Sequence, residues 1–437
     1  MNKPKISVIG LGFVGLSLAV VNAEKGFKTI GIDADKKKLE LLEKSKPPFY
    51  EPRIKNALKK TVKSKNLSFT DDLNRILETS ITFLTVGTPS THSGNIDLSQ
   101  LKRVVTKLSK ILQKKKSDHL IAIKSTVTPT TTEKIILPKF HKLKKVGVVV
   151  NPEFLREGNA IRDLLKPHLI VIGESSKKDG DTLQKYYKIF YNDHPEIVRT
   201  SLTTAEMIKY ANNAFLATKI SFINSIANIC QKIPNVDVNK IAYAIGKDSR
   251  IGSQFLNAGP GFGGSCLPKD LSAFIEFSNK FGKINSLFKA VKQVNDSQHL
   301  QIINLLKKMN LLQKGKTISI LGLAFKKNTD DIREAISIKF VKKLLKNGLK
   351  IKVHDPLAID NFRRVFLDDI TYCKTSKDCM KNADVCIFLT EWDEYKKIKQ
   401  SNLKRLMKKP NVIDARRILD PKNFKDVNFK AIGLGEK

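Results

Sequence analysis

The sequence predicts an α/β protein with two doubly wound parallel sheets separated by a mostly helical section. Short apolar strands alternate with helical patterns in the N-terminal part, a long helical periodicity follows, and strand–helix alternation then returns. At 437 residues the chain is also too long for one compact core. The predicted domains are therefore 1–202, 203–312 and 313–437.

The N-terminal part begins with a strand, a helix and a second strand. Residues 5–10 (KISVIG) form an apolar run, 16–25 have a helical pattern, and 27–33 (FKTIGID) are again strand-like. Such runs are typical of strands buried on both faces, and their alternation with helices favours a parallel sheet of the Rossmann type. Further strands are predicted at 81–86, 120–124, 146–150 and 169–172, and a helix at 98–112.

The middle of the chain has mostly helical periodicity. An apolar-periodic run extends from Ala205 to about Cys230, and Thr203 and Glu206 have the spacing of a capping box at its start. Further helices are predicted at 238–244, 271–281 and 286–309. A long central helix with a helical section of this kind is typical of a linker that also forms a dimer.

Strand–helix alternation resumes at Lys316. Strands are predicted at 317–323, 350–354, 385–389 and 411–413, and a helix at 336–347. This pattern predicts a second Rossmann-type sheet. Its first turn has only Gly322 where a three-glycine turn would be needed, so we expect it to bind something other than a dinucleotide pyrophosphate.

The chain is strongly basic, with 79 Lys and Arg against 42 Asp and Glu and a formal net charge of +37. Such a charge is a reason to consider nucleic-acid binding. The excess is spread along the chain, however, and only 13 of the basic residues are Arg, the better residue for bidentate recognition. We therefore expect no specific nucleic-acid partner, and a surface field that attracts a small anionic substrate.

The cysteines and the hydropathy exclude other classes of protein. Five cysteines, at positions 230, 266, 373, 379 and 386, include no CxxC pair, so neither a disulfide framework nor a metal site is predicted. No uncharged apolar run reaches the ~18 residues of a membrane span, and no signal peptide is recognised. The sequence thus predicts a soluble, cytoplasmic protein without a membrane partner.

A glycine turn follows the first predicted strand and opens a helix, in the order Gly10-Leu-Gly12-Phe-Val-Gly15. In this setting the first glycine makes the turn, the second admits a pyrophosphate, and the third lets the helix pack on the strand. Asp33 ends the second strand, where a carboxylate binds the adenosine ribose and repels a 2′-phosphate. The turn predicts NAD in preference to NADP; the alternative is a glycine turn that binds no ligand.

A second glycine-rich loop, GPGFGGSCLPKD at 259–270, carries Cys266 with Lys269 and Asp270 close behind it. Glycines let the backbone approach a ligand closely, and a thiol beside a cation and a carboxylate can be an activated nucleophile. Together with the first glycine turn, this loop suggests redox chemistry through a cysteine adduct. The alternative is a structural loop that carries a buried thiol.

Three other groups of polar residues are candidates for chemistry. Glu153 and Glu157 follow the strand at 146–150; if their segment turns helically they share a face, and one could serve as a base, or they only begin an acidic helix. Lys209 and Asn213 are four apart on the long helix and could stabilise developing negative charge, or form an outward polar stripe. Thr126, after another strand, could hold a water or cap a helix.

Ten sequence blocks support an assignment to a known family. They are GLGFVG (10–15), PPFYEP (47–52), VGTP (86–89), STVTP (125–129), NPEFLREG (151–158), EMIKYANNAF (206–215), SRIG (249–252), GFGGSCLPKD (261–270), GLAFKKNTDDIRE (322–334) and TEW (390–392). In this order, and nearly end to end, the chain resembles the UDP-glucose/GDP-mannose dehydrogenase family. The resemblance implies a four-electron oxidation of a nucleotide sugar's C6 alcohol to a carboxylate, with two NAD, by a homodimer.

The resemblance also implies catalytic roles. Cys266 would attack the intermediate aldehyde to give a thiohemiacetal, and a second hydride transfer would give a thioester. Lys209 and Asn213 would stabilise oxyanions, while Asp270 and Thr126 would hold water and manage protons. The remaining implied catalytic residues are Glu153, which would assist thioester hydrolysis, and Glu157, which would orient its surroundings.

Binding residues are implied in the same way. The cofactor-binding set is Gly10, Gly12, Phe13, Val14, Gly15, Asp33, Thr88, Thr126 and Arg333. The substrate-binding set is Phe154, Leu155, Lys209, Arg250, Phe262, Gly263 and Lys326. Within the second set, Arg250 would reach the sugar nucleotide bound to the partner subunit.

Substrate choice within the family rests on finer similarities. FLREG after NPE, and SRIG followed by FLNAGPGFGGSC, resemble the UDP-glucose branch most, which implies oxidation of UDP-glucose to UDP-glucuronate. The alternatives are another nucleotide sugar (a UDP-N-acetylhexosamine or GDP-mannose) and a non-catalytic dinucleotide fold that binds polyanions. The chain departs from the family at Arg53-Ile54, after PPFYEP, and at IDARR (413–417). The second departure leaves open whether Arg416 or Arg417 faces the substrate.

Overall fold

The computed structural model describes residues 3–91, 93–191, 195–282 and 284–436. The chain divides into two compact units, Met1–Asn212 and Asn213–Lys437, and the boundary falls inside one long helix. Each unit contains one sheet in which most strands are parallel. The predicted fold class, two Rossmann-type sheets and a long central helix, is confirmed, whereas the three domain boundaries stay predictions.

The first unit contains an eight-stranded sheet. Its strands are β1 (Ile6–Ile9), β2 (Thr29–Ile32), β3 (Leu67–Thr70), β4 (Ile81–Leu84), β5 (His119–Ile123), β6 (Val146–Val150), β7 (Ile170–Glu174) and β8 (Ile197–Ser201). They are arranged in the order β3-β2-β1-β4-β5-β6-β7-β8. From β1 the strand order proceeds first toward one edge of the sheet, through β2 and β3, and then toward the other edge from β4 onward. Doubly wound folds bind ligands at such a switch point, which here lies beside β1.

Helices and short turns connect these strands. The helices are α1 (Phe13–Glu24), α2 (Lys36–Glu43), α3 (Ile54–Lys63), α4 (Ser99–Ile111), α5 (Ala160–Leu165), α6 (Lys177–Phe190) and α7 (Leu202–Cys230). A π-helical turn at Thr132–Ile136 is followed by a 3₁₀ turn at Leu137–Lys139, and further 3₁₀ turns lie at Leu73–Glu78 and Leu112–Lys114.

Apolar side chains cover both faces of the first sheet. Ile6 and Val8 of β1 belong to one buried cluster, and Ile9 belongs to another. In β5, Leu120 and Ile121 are divided between the same two clusters. Successive side chains of a strand point to opposite faces, so the continuous apolar runs in the sequence fill two cores, one on each side of the sheet.

One strand pair departs from the predicted parallel arrangement. β6 and β7 are antiparallel, with Val150 opposite Gly173. After β6 the chain forms a loop and the short helix α5, then enters β7 from the end of the sheet that it has just left. Because the chain does not cross back to the other end of the sheet, β7 must run antiparallel to β6.

The start of α7 also differs from the prediction. The helix begins at Leu202, and the Thr204 amide donates to Ser201 Oγ at 3.2 Å, so Ser201 caps it. Glu206 does not close a capping box, because its Oε1 accepts instead from the Thr132 amide at 2.8 Å. The capping-box prediction is therefore wrong, although the predicted helix is present.

The second unit contains a six-stranded sheet in which the paired strands are parallel. Its strands are β9 (Thr317–Leu321), β10 (Lys350–His354), β11 (Thr371–Tyr372), β12 (Val385–Phe388), β13 (Asn411–Asp414) and β14 (Asn428–Ala431). They are arranged as β11-β10-β9-β12-β13-β14. Successive strand residues again belong to two different buried clusters, with Ile320 in one and Leu321 in the other.

The other helices of this unit precede or cover that sheet. They are α8 (Val238–Ile245), α9 (Leu267–Ser278), α10 (Ser286–Gln298), α11 (Leu300–Lys308), α12 (Ile336–Lys346), α13 (Ile359–Phe366), α14 (Ser376–Met380) and α15 (Gln400–Leu406). Short 3₁₀ turns lie at Asn279–Phe281, Tyr395–Lys397 and Pro421–Asn423. The single helix predicted over 286–309 is therefore two helices, divided at His299.

Candidate active site

The glycine turn after β1 is shaped by close packing at two of its glycines. Gly10 has a φ of +93°, and a Cβ there would lie 2.9 Å from Val86 Cα. A Cβ on Gly15 would lie 1.9 Å from the Gly10 oxygen, so the third glycine is needed for α1 to approach the turn. A Cβ on Gly12 would meet nothing within 4 Å, which leaves open space beside the backbone before Phe13 and Val14.

Asp33, after β2, lies against this turn. Its Oδ2 accepts from the Leu11 amide at 2.7 Å and from Lys38 Nζ at 2.8 Å, and its Oδ1 accepts from the Asp35 amide at 3.0 Å. Burial alone would raise the pKa of Asp33, but the hydrogen bonds from Lys38 and the two amides outweigh it and lower the pKa. The carboxylate is therefore charged and fixed at the turn. Lys38 is its ion-pair partner.

Thr88 and Thr126 are brought together from loops that follow neighbouring strands. The Thr88 hydroxyl donates to the Thr126 carbonyl at 2.8 Å, and Thr88 is buried while Thr126 is half-buried. In the same loops, Ser125 Oγ donates to the Val86 carbonyl at 2.7 Å. The ends of β4 and β5 are thus joined at the same edge of the sheet as the glycine turn, as parallel pairing requires.

Glu153 and Lys209 form a buried ion pair in the first unit. Lys209 Nζ lies 3.1 Å from Glu153 Oε1 and also donates to the Glu153 carbonyl at 2.7 Å. The side chains are 5% and 6% exposed. Lys209 Nζ also lies 5.4 Å from the centre of the Phe154 ring, and the Leu155 amide donates to Glu153 Oε2 at 2.6 Å. Four predicted site residues therefore converge here.

The segment that carries Glu153 and Glu157 is not helical, so the two carboxylates do not share a helix face as the sequence allowed. Another acid, Glu51, shapes this segment: its two oxygens accept from the amides of Gly158 and Ala160 at 2.7 and 2.8 Å. Glu51 thereby caps the start of α5 and holds the loop. The sequence analysis assigned it no role, although it stands in the PPFYEP block.

A buried lysine close to this pair was also missed. Lys124, directly after β5, is 6% exposed, and its Nζ donates to Asn151 Oδ1 at 2.8 Å and to the Asn151 carbonyl at 3.3 Å. Burial lowers its pKa to about 8; the charge of Glu153 opposes this shift and that of Lys209 adds to it. A lysine at the end of a buried strand, next to the STVTP block, was the available signal.

In the second unit, Cys266 directly precedes α9 and is half-buried. Its carbonyl accepts from the Asp270 amide at 2.8 Å. Asp270 is 2% exposed; its Oδ2 accepts from the Asn213 side-chain amide at 2.6 Å, and its Oδ1 contacts Lys269 Nζ. The positive end of a helix dipole favours negative charge at the Cys266 position.

The glycine loop before Cys266 packs against the loop after β9. The Gly264 amide donates to the Arg333 carbonyl at 2.9 Å, and a Cβ on Gly263 would lie 2.4 Å from the Glu334 oxygen. Phe262 is buried and exchanges hydrogen bonds of 2.7 and 3.0 Å with the Asn295 side chain. These contacts fix the backbone that leads to the thiol.

The three predicted cationic contacts differ in exposure. Lys326 is half-buried, with its Nζ 5.6 Å from the centre of the Phe325 ring. The Arg333 side chain is exposed and pairs with Asp331. The Arg250 side chain is 87% exposed, in a turn after α8, and pairs with Asp248 at 2.6 Å.

The structure distinguishes the two arginines that the sequence left open. Arg416 donates to the carbonyls of Leu389 and Phe325 at 2.7 and 2.8 Å, which places it beside Lys326. The Arg417 side chain is 3% exposed and pairs with Asp237 at 2.8 Å. Arg417 is therefore committed to internal packing, and Arg416 contacts the loop after β9 that carries Lys326.

Within residues 3–91, 93–191, 195–282 and 284–436, no group of three His, Cys, Asp or Glu side chains is arranged to hold a metal ion. In the same part of the chain, no helix is long and apolar enough to cross a membrane.

Comparison with protein-family models gives three matches to the UDP-glucose/GDP-mannose dehydrogenase family. They are the NAD binding domain over residues 4–191, the central domain over 203–297 and the UDP binding domain over 319–421. Together these matches extend over most of the chain.

Individual proteins are similar over nearly their full length. The chain is 40% identical to the UDP-glucose 6-dehydrogenase TuaD of Bacillus subtilis (strain 168), covering 99% of this chain and 93% of that protein. It is also 40% identical to the UDP-glucose 6-dehydrogenase AglM of Haloferax volcanii, covering 95% and 97%. A solved UDP-glucose dehydrogenase from the hyperthermophilic archaeon Pyrobaculum islandicum superposes with a TM-score of 0.91 at 34% identity, covering 100% of this chain and 98% of the other.

Proposed function

The chain belongs to the UDP-glucose/GDP-mannose dehydrogenase family, and we propose that it uses NAD to oxidise the C6 alcohol of UDP-glucose to the carboxylate of UDP-glucuronate. The observation that carries the proposal is the half-buried Cys266 thiol at the start of α9, beside a buried carboxylate held by Asn213. The matches to an NAD binding domain and a UDP binding domain support NAD and a UDP-sugar as the two ligands. The names of the relatives support UDP-glucose as the sugar nucleotide.

The glycine turn fits a dinucleotide. The open space at Gly12 lets phosphates approach the amides at the start of α1, whose positive dipole end favours them. Asp33, held charged beside the turn, would accept hydrogen bonds from the ribose hydroxyls. NAD, when bound, supplies the hydride acceptor for each of the two oxidations. The other cofactor contacts in the proposal are Phe13, Val14, Thr88, Thr126 and Arg333.

In the first oxidation, the C6 alcohol loses a hydride from carbon and a proton from oxygen, which gives an aldehyde. Negative charge develops on the oxygen as the proton leaves. Lys209 and Asn213 are one helical turn apart on α7 and supply a cation and an amide donor for that charge. Loss of one such donor typically costs ~10²–10³ in rate.

The second oxidation passes through Cys266. Its thiolate adds to the aldehyde carbon to form a thiohemiacetal, and loss of a second hydride and of the hydroxyl proton gives a thioester. Water then adds across the thioester, which releases the carboxylate and the free thiol. In the proposal Glu153 assists this hydrolysis and Glu157 orients its surroundings, while Thr126 and Asp270 hold water and transfer protons.

Contacts to the substrate complete the proposal. The apolar and backbone contacts are Phe154, Leu155, Phe262 and Gly263, and the cationic contacts are Lys209, Lys326 and Arg250. Arg416 joins them because its guanidinium group donates to the Phe325 carbonyl, next to Lys326 on the loop after β9. Cationic side chains suit a substrate that carries two phosphate groups.

The decisive experiment is to count the NADH formed per molecule of UDP-glucose consumed to completion, by absorbance. Two per sugar are expected for oxidation of the alcohol to the acid. One per sugar would mean that the reaction stops at the aldehyde, and the role of Cys266 would then be wrong. No NADH with UDP-glucose, but turnover with a UDP-N-acetylhexosamine or GDP-mannose, would move the proposal to another nucleotide sugar.

We also propose that the protein works as a homodimer whose interface includes one face of α7. Phe215, Phe222 and Ile229 are 64%, 50% and 56% exposed and lie seven residues apart, so they form a stripe on one side of the helix. An exposed apolar stripe of this kind is typical of a helix that packs against another chain. Arg250, exposed after α8, would extend toward the partner subunit's substrate in such a dimer.

The dimer can be tested by light scattering after size exclusion. The wild-type mass should be about twice that of the chain, and Phe222→Glu should shift it toward the monomer, because burial of an unpaired carboxylate at the interface is costly. Lys342→Glu reverses the charge of an exposed residue on α12 and is the matched control. An unchanged mass for Phe222→Glu would contradict this interface.

A further inference from the structure

Lys124 is a buried cation that the proposed chemistry does not use. Its Nζ donates to two oxygens of Asn151, at 2.8 and 3.3 Å, and both acceptors are neutral. Among the ion pairs of the described residues, none includes Lys124. Burying an ammonium group costs free energy unless opposite charge compensates it, so a lysine is a costly choice if a hydrogen bond to an amide is all that is needed.

Asn151 connects Lys124 to the structure around it. The Asn151 amide donates to the Ile123 carbonyl at 2.8 Å, and its side-chain amide donates to the Val171 carbonyl at 2.8 Å. Its Oδ1, which accepts from Lys124, also accepts from the Tyr187 hydroxyl. Asn151 therefore joins β5, β6, β7 and α6 at the point where the Glu153 loop begins.

Two residues after Asn151, the chain reaches the buried ion pair. Lys209 Nζ bonds both the carbonyl and the carboxylate of Glu153, and the Leu155 amide bonds the other carboxylate oxygen. A shift of the backbone at Asn151 would therefore move Glu153 and its partner together. The groups that face Lys124 are Asn151 and Glu153 from the end of β6, Tyr187 from α6 and Lys209 from α7.

We propose that Lys124 is a positioning residue for the reaction: its ammonium group anchors the Asn151–Glu153 segment and places a second positive charge beside the Glu153–Lys209 pair. This inference rests on the proposed function, which gives Glu153 and Lys209 their roles. A nearby cation makes a carboxyl group easier to ionise and another ammonium group easier to deprotonate. Lys124 would therefore keep the acidic limb of the pH–rate profile, where its own amine is charged, at lower pH than its absence would.

The interaction of Lys124 with Lys209 is consistent with this effect. Burial lowers the pKa of Lys124 to about 8, Glu153 opposes the shift, and Lys209 contributes to it. Electrostatic coupling is mutual, so the positive charge of Lys124 also acts on the Glu153–Lys209 pair. Above about pH 8 the Lys124 amine becomes neutral and this influence ends.

The test compares Lys124→Met with Tyr187→Phe in the full-length protein. Both remove a donor from Asn151 Oδ1, but only Lys124→Met removes charge. For Lys124→Met we expect kcat to fall about tenfold, with a change in KM for UDP-glucose of less than about threefold, since misplacement of reacting groups affects the chemical step. The acidic limb of its kcat profile should move up by about one pH unit. Tyr187→Phe should keep the limbs of the wild-type profile.

Several outcomes would overturn the inference. Wild-type limbs in Lys124→Met would remove the electrostatic role, and equal shifts in Tyr187→Phe would assign the effect to the Asn151 anchor alone. If Lys124→Met and Lys124→Gln both lose cooperative unfolding and NAD binding, Lys124 is required for the fold and not for the reaction. A wild-type protein that forms no NADH from UDP-glucose would contradict the proposed function itself, which the variants do not test.

Discussion

The Asn213 side-chain amide donates to Asp270 Oδ2 at 2.6 Å, and both side chains are buried, at 5% and 2% exposed. Asn213 lies on α7 and Asp270 in the first turn of α9, so this bond joins the long helix to the helix that begins at Cys266. The amide therefore both orients the carboxylate and compensates part of its charge.

Replacing Asn213 with alanine should reduce kcat by about 10²–10³-fold, since it removes a donor for the developing charge and a partner of Asp270. Steady-state kinetics with UDP-glucose would measure the loss. Lys269→Met, which removes the other contact of Asp270, should be less damaging because Lys269 is partly exposed to water. Near-wild-type kcat in Asn213→Ala would contradict its proposed role.

Cys266→Ser should abolish net formation of the acid and leave NAD binding intact. A serine hydroxyl is far less nucleophilic than a thiolate, so the thioester route is closed. The readouts are NADH release and cofactor binding by fluorescence titration. Cys373→Ser, at a cysteine directly after β11 that is buried in an apolar cluster, is the control and should keep turnover. Undiminished turnover in Cys266→Ser would remove the covalent mechanism.

Asp33→Ala should weaken NAD binding about tenfold to a hundredfold, the range of a hydrogen bond to a charged group, and relax the preference for NAD over NADP. Without the carboxylate, Lys38 loses its ion-pair partner and can attract a 2′-phosphate. The dissociation constants of both cofactors would be measured. Asp35→Ala, at the cap of α2, should leave the preference unchanged. Unaltered cofactor binding in Asp33→Ala would place the ribose contact elsewhere.

Gly263→Ala should destabilise the protein by about 1–3 kcal/mol and lower turnover, because the new methyl group would overlap the Glu334 carbonyl at 2.4 Å. Gly259→Ala is a control in the same loop, where the nearest atom to the new Cβ is 3.4 Å away. Denaturant unfolding and kinetics would compare the two. Equal unfolding free energies of both variants would mean that the loop after β9 moves away from the new methyl group without destabilising the protein.

Glu206→Gln should change the pH dependence of stability. Burial raises the pKa of Glu206 from 4.5 to about 7, although hydrogen bonds from Thr132 and its neighbours oppose the shift. The folded state therefore binds more protons than the unfolded state between these values, and the wild-type protein loses up to ~3 kcal/mol as pH rises through 7. The unfolding free energy of Glu206→Gln, relative to wild type, should increase between pH 5 and 8.

His119 provides a contrast of opposite sign. Its ring bonds Thr82 Oγ1 at 2.8 Å and the Thr79 carbonyl at 2.9 Å, and burial lowers its pKa from 6.5 to about 4. The stability that it contributes is present above pH 6.5 and is lost as pH falls through 4. Because Glu206→Gln and the wild-type protein share His119, the difference between their unfolding free energies reports on Glu206 alone. A pH-independent difference for Glu206→Gln would contradict the shifted carboxyl.

The interior strands were predictable, and the edge strands were not. β1, β4, β5 and β6 are flanked on both sides and appear in the sequence as apolar runs. The strands absent from the prediction, β3, β8, β11 and β14, are the outermost strands of the two sheets. Edge strands are less buried, so their sequences, such as IVRTS in β8, lack the continuous apolar pattern.

The arrangement of the candidate site was predictable where it depends only on the spacing of residues and on their position after a strand. Gly10, Gly12, Gly15 and Asp33 lie together as the strand–turn–helix pattern indicates. Lys124 and Glu51 were missed, because the significance of each depends on a distant segment, Asn151 for one and the Gly158–Ala160 amides for the other.

The sequence by itself determined the fold class, the cofactor turn and the thiol loop, because these depend on local patterns of apolar residues and glycines. Only the tertiary structure decided how charges are paired: Lys209 with Glu153, Asp270 with Asn213, and Arg417 with Asp237. A side chain's chemistry is set by which groups and how much water surround it, and folding brings those groups together from positions far apart in the chain.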